Sequence, residues 1–245
     1  MLFRSYHKEP APALLGGGGV QIKTVLKMSI PVTLNSLLIP LSSLLDSIFV
    51  PRLLSVYAGD AVTLYGLFSG GAVTVVGLPV SVCYGVAAAS IPAVAEAFAS
   101  RENGKGGRNG KVWYAFFVTV LIALPSALLL YFFAEPAAKI IYRSLSEAEL
   151  SVLIRLIKIF SVSAFTLSCA QTLAACLTAK GKPQLAALNM LIGIIVKTAV
   201  YFVLLRNPKI SVFGLAHATN LCYLVAFLLD LLYNLIVRKS KKVKA

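Results

Sequence analysis

Acidic side chains are scarce: nine stand against twenty-three basic ones, a formal net charge of +14. Charge of either sign is also rare, at 13% of residues, while 58% are hydrophobic and the mean hydropathy is +0.85. That balance excludes an ordinary soluble domain and fits a polytopic membrane protein. Only two histidines and four cysteines occur, with no CxxC and no Cys/His ligand spacing, so no metal centre or cofactor is implied. Cys83, Cys169, Cys176 and Cys222 fall inside apolar segments, as reduced core thiols do. A nucleophile elbow and a P-loop are both lacking, which argues against an enzyme and against nucleotide-driven work. The surplus of basic residues does not point to nucleic acid, because they cluster at the ends of apolar runs. Before Gly16–Gly19 the first residues hold no continuous apolar run of signal-peptide type.

What is present is a series of long apolar runs, and the first organises the rest. Thr33 to Arg52 lies in a run that opens at Met28, and at about 1.5 Å rise per residue it can cross a bilayer. On a helical wheel Asn35, Ser42 and Asp46 make one stripe, and Ser36, Ser43 and Ser47 make a second beside it. Leu34, Leu37, Leu38, Leu41, Leu44, Leu45 and Ile48 fill the opposite face. A simple anchor has no need to gather its polar atoms on one side. The pattern predicts a helix with lipid or other helices on one side and a polar interior on the other.

Five further spans follow. The second, about 61–100, exceeds a bilayer's needs and has bend points at Gly70-Gly71 and Pro79; Gly66 and Gly70 match the small-xxx-small pattern of close helix contact. The third, about 112–134, carries no charge and reads as a peripheral, lipid-facing helix. Ser146 to Glu149 reads as a capping box opening the fourth, which Lys180-Gly181-Lys182-Pro183 ends. The fifth, about 186–205, holds Lys197 near mid-membrane, and the sixth, about 211–237, holds His217, Asn220 and Asp230. Residues 1–27 read as a cytoplasmic leader or interlobe linker, with a short amphipathic helix from about Gln21. Residues 28–237 form the six-helix transmembrane lobe, and 238–245 a basic cytoplasmic tail. With the N-terminus inside, fifteen basic residues fall on the inner side and seven on the outer, which supports six spans with both termini cytoplasmic. The expected fold is an all-α polytopic membrane protein.

Four stretches taken together, KMSIPVTLNSLLIPLSSLLDSIFVPRLL, LYGLFSGGAVTVVGLPVSV, AAASIPAVAEAFA and CLTAKGKPQ, carry a family likeness. In order and spacing they resemble the C-terminal half of bacterial polysaccharide-export and lipid-flippase proteins, of the stage V sporulation protein B branch near the lipid II flippases. The resemblance covers about residues 22–237. It implies one lobe of a two-lobe fold of the multidrug/oligosaccharidyl-lipid/polysaccharide exporter superfamily, in the bacterial plasma membrane. It implies transport of lipid-linked sugars or peptidoglycan precursors by alternating access, with membrane lipids and the lipid-linked cargo as partners. Because the chain resembles only the second lobe, a missing first lobe or a second copy is implied as well. Two rival readings stay open: a non-transporting membrane scaffold or assembly subunit, and a drug or cation exporter of the same superfamily.

The candidate cavity residues are Asn35, Ser42, Asp46, Arg52, Gln171 and Lys197. Intramembrane charge is a functional candidate by default, and guanidinium suits a pyrophosphate because it offers several fixed donors. Asp46 reads as a coupling or gating charge, or else as a helix-packing polar site. Arg52, about 120° round the helix from Asp46, reads as an attractor of an anionic headgroup or as an interfacial arginine. Lys197, in the row Asn189, Gly193, Lys197, Tyr201, reads as a cavity cation for phosphate or as half of a buried pair with Asp46 or Asp230. Glu96, His217, Asn220 and Asp230 are gate or helix-packing candidates: Asp230, close to Arg238, reads as structural or interfacial, and His217 as a packing hydrogen-bonder. Cysteine labelling in native membranes is expected to reach the tail from the inner side and the Arg206–Lys209 turn from the outer. Labelling of both from one side would remove this topology.

Overall fold

The computed structural model describes residues 18–99 and 107–239. The first 17 residues of the expected leader, most of the expected 101–111 loop and the end of the tail lie outside them. The described residues are helical, with no strand among them, and six helices are long and apolar enough to cross a membrane. The chain is thus an all-α polytopic membrane protein.

Helix α1 runs from Gly18 to Leu54 as one piece. It begins well before position 28, so the expected boundary between an entry helix and the first span is not a break. The second span is composite: α2 (Ala61–Gly66), a π-helical stretch (Leu67–Ala72) and α3 (Val73–Ala99). The irregular stretch falls at the expected Gly70-Gly71 bend. There Tyr142 donates its hydroxyl to the Gly70 carbonyl at 2.9 Å, giving the loosened backbone an acceptor's partner. Then come α4 (Gly107–Phe132), the short α5 (Ala134–Ile141), α6 (Glu147–Ala179), α7 (Pro183–Leu204) and α8 (Phe213–Lys239).

The ends of α6 show why the chain stops where it does. Ser146 Oγ accepts from the Glu149 amide and the Glu149 carboxylate accepts from the Ser146 amide, a complete capping box. At the other end Gly181 takes φ +73°, and the Gly181 and Lys182 amides donate to the Thr178 and Leu177 carbonyls. Those paired bonds need a left-handed residue, which glycine adopts without strain.

α6 is the central post. It packs against α3, α4, α7 and α8, and its buried side includes Leu153, Leu156, Ile157, Leu173 and Leu177. α4 is not the featureless outer helix its composition suggests. Tyr114, Phe117, Leu121 and Leu128 are exposed, but Val112, Ala115, Thr119 and Ala123 are buried. The Thr119 and Thr172 hydroxyls share a bond of 2.9 Å across to α6.

The close glycine contact is also not where the small-xxx-small match puts it. A Cβ on Gly66 or Gly70 would meet nothing within 4 Å. One on Gly193 would lie 2.7 Å from the Cys222 backbone oxygen, so α7 and α8 need a residue without a side chain there; one on Gly71, next to the matched pair, would lie 2.5 Å from the flexible end of Leu153 on α6. Gly193→Ala is expected to cost about 1–3 kcal/mol through overpacking, and Gly66→Ala to leave stability unchanged. Thermal unfolding in detergent checks both, and equal midpoints for the two variants would contradict this packing.

Candidate functional site

α1 buries one narrow stripe. Ser42, Asp46, Val50 and Leu54 are buried at four-residue spacing, while Leu34, Leu37, Leu41, Leu44 and Ile48 are exposed. The stripe meets the buried face of α7, on which Asn189, Gly193, Lys197 and Tyr201 stand one turn apart. Between them the Lys197 ammonium donates to the Asp46 carboxylate and, at 3.1 Å, to the Ser42 hydroxyl. Asp46 is 4% exposed and Lys197 5%, so this ion pair lies wholly inside the lobe.

Of the two partners the spacing left open for Lys197, the structure selects Asp46. Arg52 does not share the site: it is exposed near the end of α1, and its side chain makes no ion pair among the described residues. The side chain of Asn35 lies outside the described residues.

Asp230 sits elsewhere and is buried, 2% exposed, in keeping with the structural rather than the interfacial of its two readings. Its carboxylate accepts from Asn189 Nδ2 at 2.7 Å. Asn234, one turn on, donates to the Asp230 carbonyl at 2.8 Å and accepts from the Lys180 ammonium at 2.7 Å. A cavity of about 300 Å³ opens beside this cluster, walled by α1, α3, α6, α7 and α8. Of the predicted cavity residues only Gln171 lines it, together with Asp230, which was placed in the gate group. Ser42 and Lys197 line a separate crevice nearby.

The remaining predictions divide. Asn220 is a packing residue: it donates to the Ile159 carbonyl at 2.7 Å and accepts from the Ser163 hydroxyl, fastening α8 to α6. His217 makes no such bond among the described residues. It is exposed, because the buried face of α8 is set by Ala216, Thr219 and Asn220 rather than by position 217. Glu96 is exposed late in α3. Sequence reasoning missed Asn234 and Thr119. Asn234 stands four residues after Asp230, and Thr119 lies between Ala115 and Ala123 at the same spacing, so helical periodicity was the available signal in both cases.

Chemically, the Asp46–Lys197–Ser42 cluster is a clamp. Either charge alone in hydrocarbon costs about 3 kcal/mol on insertion scales, and a buried pair broken on one side costs about 3–5 kcal/mol. Asp46→Asn and Lys197→Met are each expected to lower stability by that amount. The double variant is expected to recover most of it, since it leaves no orphaned charge. A double-mutant cycle on unfolding in detergent measures the coupling, and additive losses would show that the two side chains do not pair.

Comparison with known proteins sets this geometry in a family. An inward-facing multidrug resistance MATE family transporter of the MOP superfamily superposes with a TM-score of 0.77 at 15% identity, over 94% of this chain and 51% of that one. A MOP superfamily transporter from Pyrococcus furiosus, whose binding pocket is described as of reverse polarity, gives 0.72 at 18% identity, over 92% and 48%. The chain therefore spans about half the length of the solved structures it matches. No match was found among curated protein sequences. The model of the lipid II flippase MurJ family matches residues 12–244, and the chain belongs to that family.

Proposed function

We propose that this chain is one lobe of a flippase that carries lipid-linked saccharides, of the peptidoglycan-precursor or polysaccharide class, across a bacterial plasma membrane by alternating access. The family match over residues 12–244 carries this reading. The superposition of nearly the whole chain on half of larger transporters supports a partner: a first lobe, or a second copy, facing this one. The basic residues favour a lobe with both ends on the cytoplasmic side, and residues 1–27 and 238–245 then serve as interlobe linker and tail.

Within this reading the charges take different tasks. Arg52, exposed at the outer end of α1, is the group that meets an anionic headgroup, by charge-assisted bonds to pyrophosphate oxygens. Lys197 is held by Asp46 and Ser42 and so is not free to hold phosphate; the clamp fixes α1 on α7, and its opening or persistence decides how α1 moves between the two access states. Charge reversal at Arg52 in the complete protein is expected to reduce flipping at least about tenfold, the loss of one or two charge-assisted bonds, with unchanged melting. A reconstituted flipping assay tests this, and wild-type transport by Arg52→Glu would remove the assignment.

A further inference from the structure

A cavity of about 300 Å³ lies beside Asp230. We infer that it is a binding site for a primary amine on a short apolar arm, with the Asp230 carboxylate and the Gln171 amide oxygen as the groups that receive it. The inference stands independently of the flippase reading.

Four observations carry it. Asp230 is a buried carboxylate on the cavity wall, and no cation pairs with it among the described residues. The Lys180 ammonium donates to Asn234, one turn along α8 from Asp230. By contrast Asp46, the other buried carboxylate, has Lys197. An anion buried without a counter-charge is costly, so this carboxyl is relieved either by a proton or by a cation in the cavity, and the acceptors beside it favour a ligand that donates. Second, Gln171 Oε1, also on this wall, is a buried acceptor with no donor, and so is Asn189 Oδ1 on the amide that holds Asp230. Buried polar atoms in native proteins have partners, and here a water or a ligand donor in the cavity supplies them. All three are acceptors, so the missing partner is a donor.

Third, the rest of the wall is mostly apolar, with Ile39, Ile91, Leu167, Met190 and alanines between; Ser36, Tyr84 and Thr178 are its other polar side chains. A bare metal ion prefers six or more oxygens for its shell, and no cluster of three His, Cys, Asp or Glu occurs among the described residues. About 300 Å³ is far more room than an ion fills and falls at the small end of organic-ligand pockets. An alkyl arm on the hydrophobic wall, with its ammonium toward Asp230, uses both parts. Fourth, there is a way in: Ser36 and Tyr84, on α1 and α3, are exposed at the cavity's edge. A free small amine and an amine borne on lipid-linked cargo share this chemistry.

The test is ligand-induced thermal stabilisation of the purified full-length protein, with n-butylammonium chloride as probe and n-butanol and sodium chloride as controls. The amine is expected to raise the midpoint by several degrees, the controls not to. Asp230→Asn, which keeps the shape and the contact to Asn189, is expected to weaken amine binding about tenfold or more, a charge-assisted bond having become a neutral one. Should that variant fail to fold, Ala174→Phe fills the cavity instead and is expected to abolish the shift. Equal stabilisation of wild type and variant, an equal effect of n-butanol, or a sodium effect that depends on Asp230 would each overturn the assignment. Competition against the probe by lipid-linked precursors with free and with acetylated amines then separates the two sources, whatever the outcome of the flipping assay.

Discussion

An ion pair buried in a membrane lobe leaves its two helices little freedom, and the pair between Asp46 and Lys197 sets the arrangement here. Neither charge is tolerable alone in hydrocarbon, so α1 and α7 must lie side by side in the one register that brings them together. Ser42, one turn before Asp46, takes a further hydrogen of the same ammonium. On α7 the residue one turn before Lys197 is Gly193, whose bare backbone lets α8 approach on another side. One row of side chains thus joins α1 electrostatically and α8 sterically. α6 then closes the lobe with apolar packing and with Ser163, which donates to Asn220 of α8.

That arrangement separates the charges that sequence alone groups together. Asp46, Arg52 and Lys197 all look like lining for a polar path when each is placed only on its own helix. In the folded lobe two of them neutralise each other in the interior and the third is exposed at the helix end. Under the flippase reading, recognition of an anionic headgroup then falls to the exposed guanidinium. The buried pair acts through the position of α1. The exposed leucine side of α1 faces whatever adjoins the lobe, lipid or a second lobe.

What a sequence reveals of such a fold depends on the range over which each signal acts. Spans, capping box and helix stop depend on neighbours within a few residues, and they were legible because hydropathy, Ser146–Glu149 and Gly181 act locally. The row Asn189, Gly193, Lys197, Tyr201 was legible for the same reason. Which acid Lys197 meets was not, since periodicity gives a residue's face and says nothing of the helix opposite. The Gly66–Gly70 match failed on that point as well: small residues permit close approach, but only a facing backbone makes it, and the facing backbone is at Gly193. His217 faces outward and Asn220, three residues on, faces inward, because the packing of α6 on α8 chose the second of two polar neighbours. Asp230 keeps two readings in the sequence, structural or interfacial, because a position near the end of a span fits both; α7 extends far enough to cover it with Asn189.

Among the described residues two carboxylates are buried, Asp46 and Asp230. They lie in the same lobe, both contact α7, and both are under 5% exposed. Asp46 meets a cation supplied by the chain, so its surroundings are complete and the consequence is rigidity. Asp230 meets an amide, which donates one hydrogen and brings no charge, and beside it stands a cavity whose wall carries an acceptor without a donor. Burial is the same, so burial is not what distinguishes them. The difference is whether the counter-charge is covalently part of the lobe. Where it is, two helices are locked; where it is not, the carboxylate faces a cavity, and the proposed amine is what would bring the opposite charge.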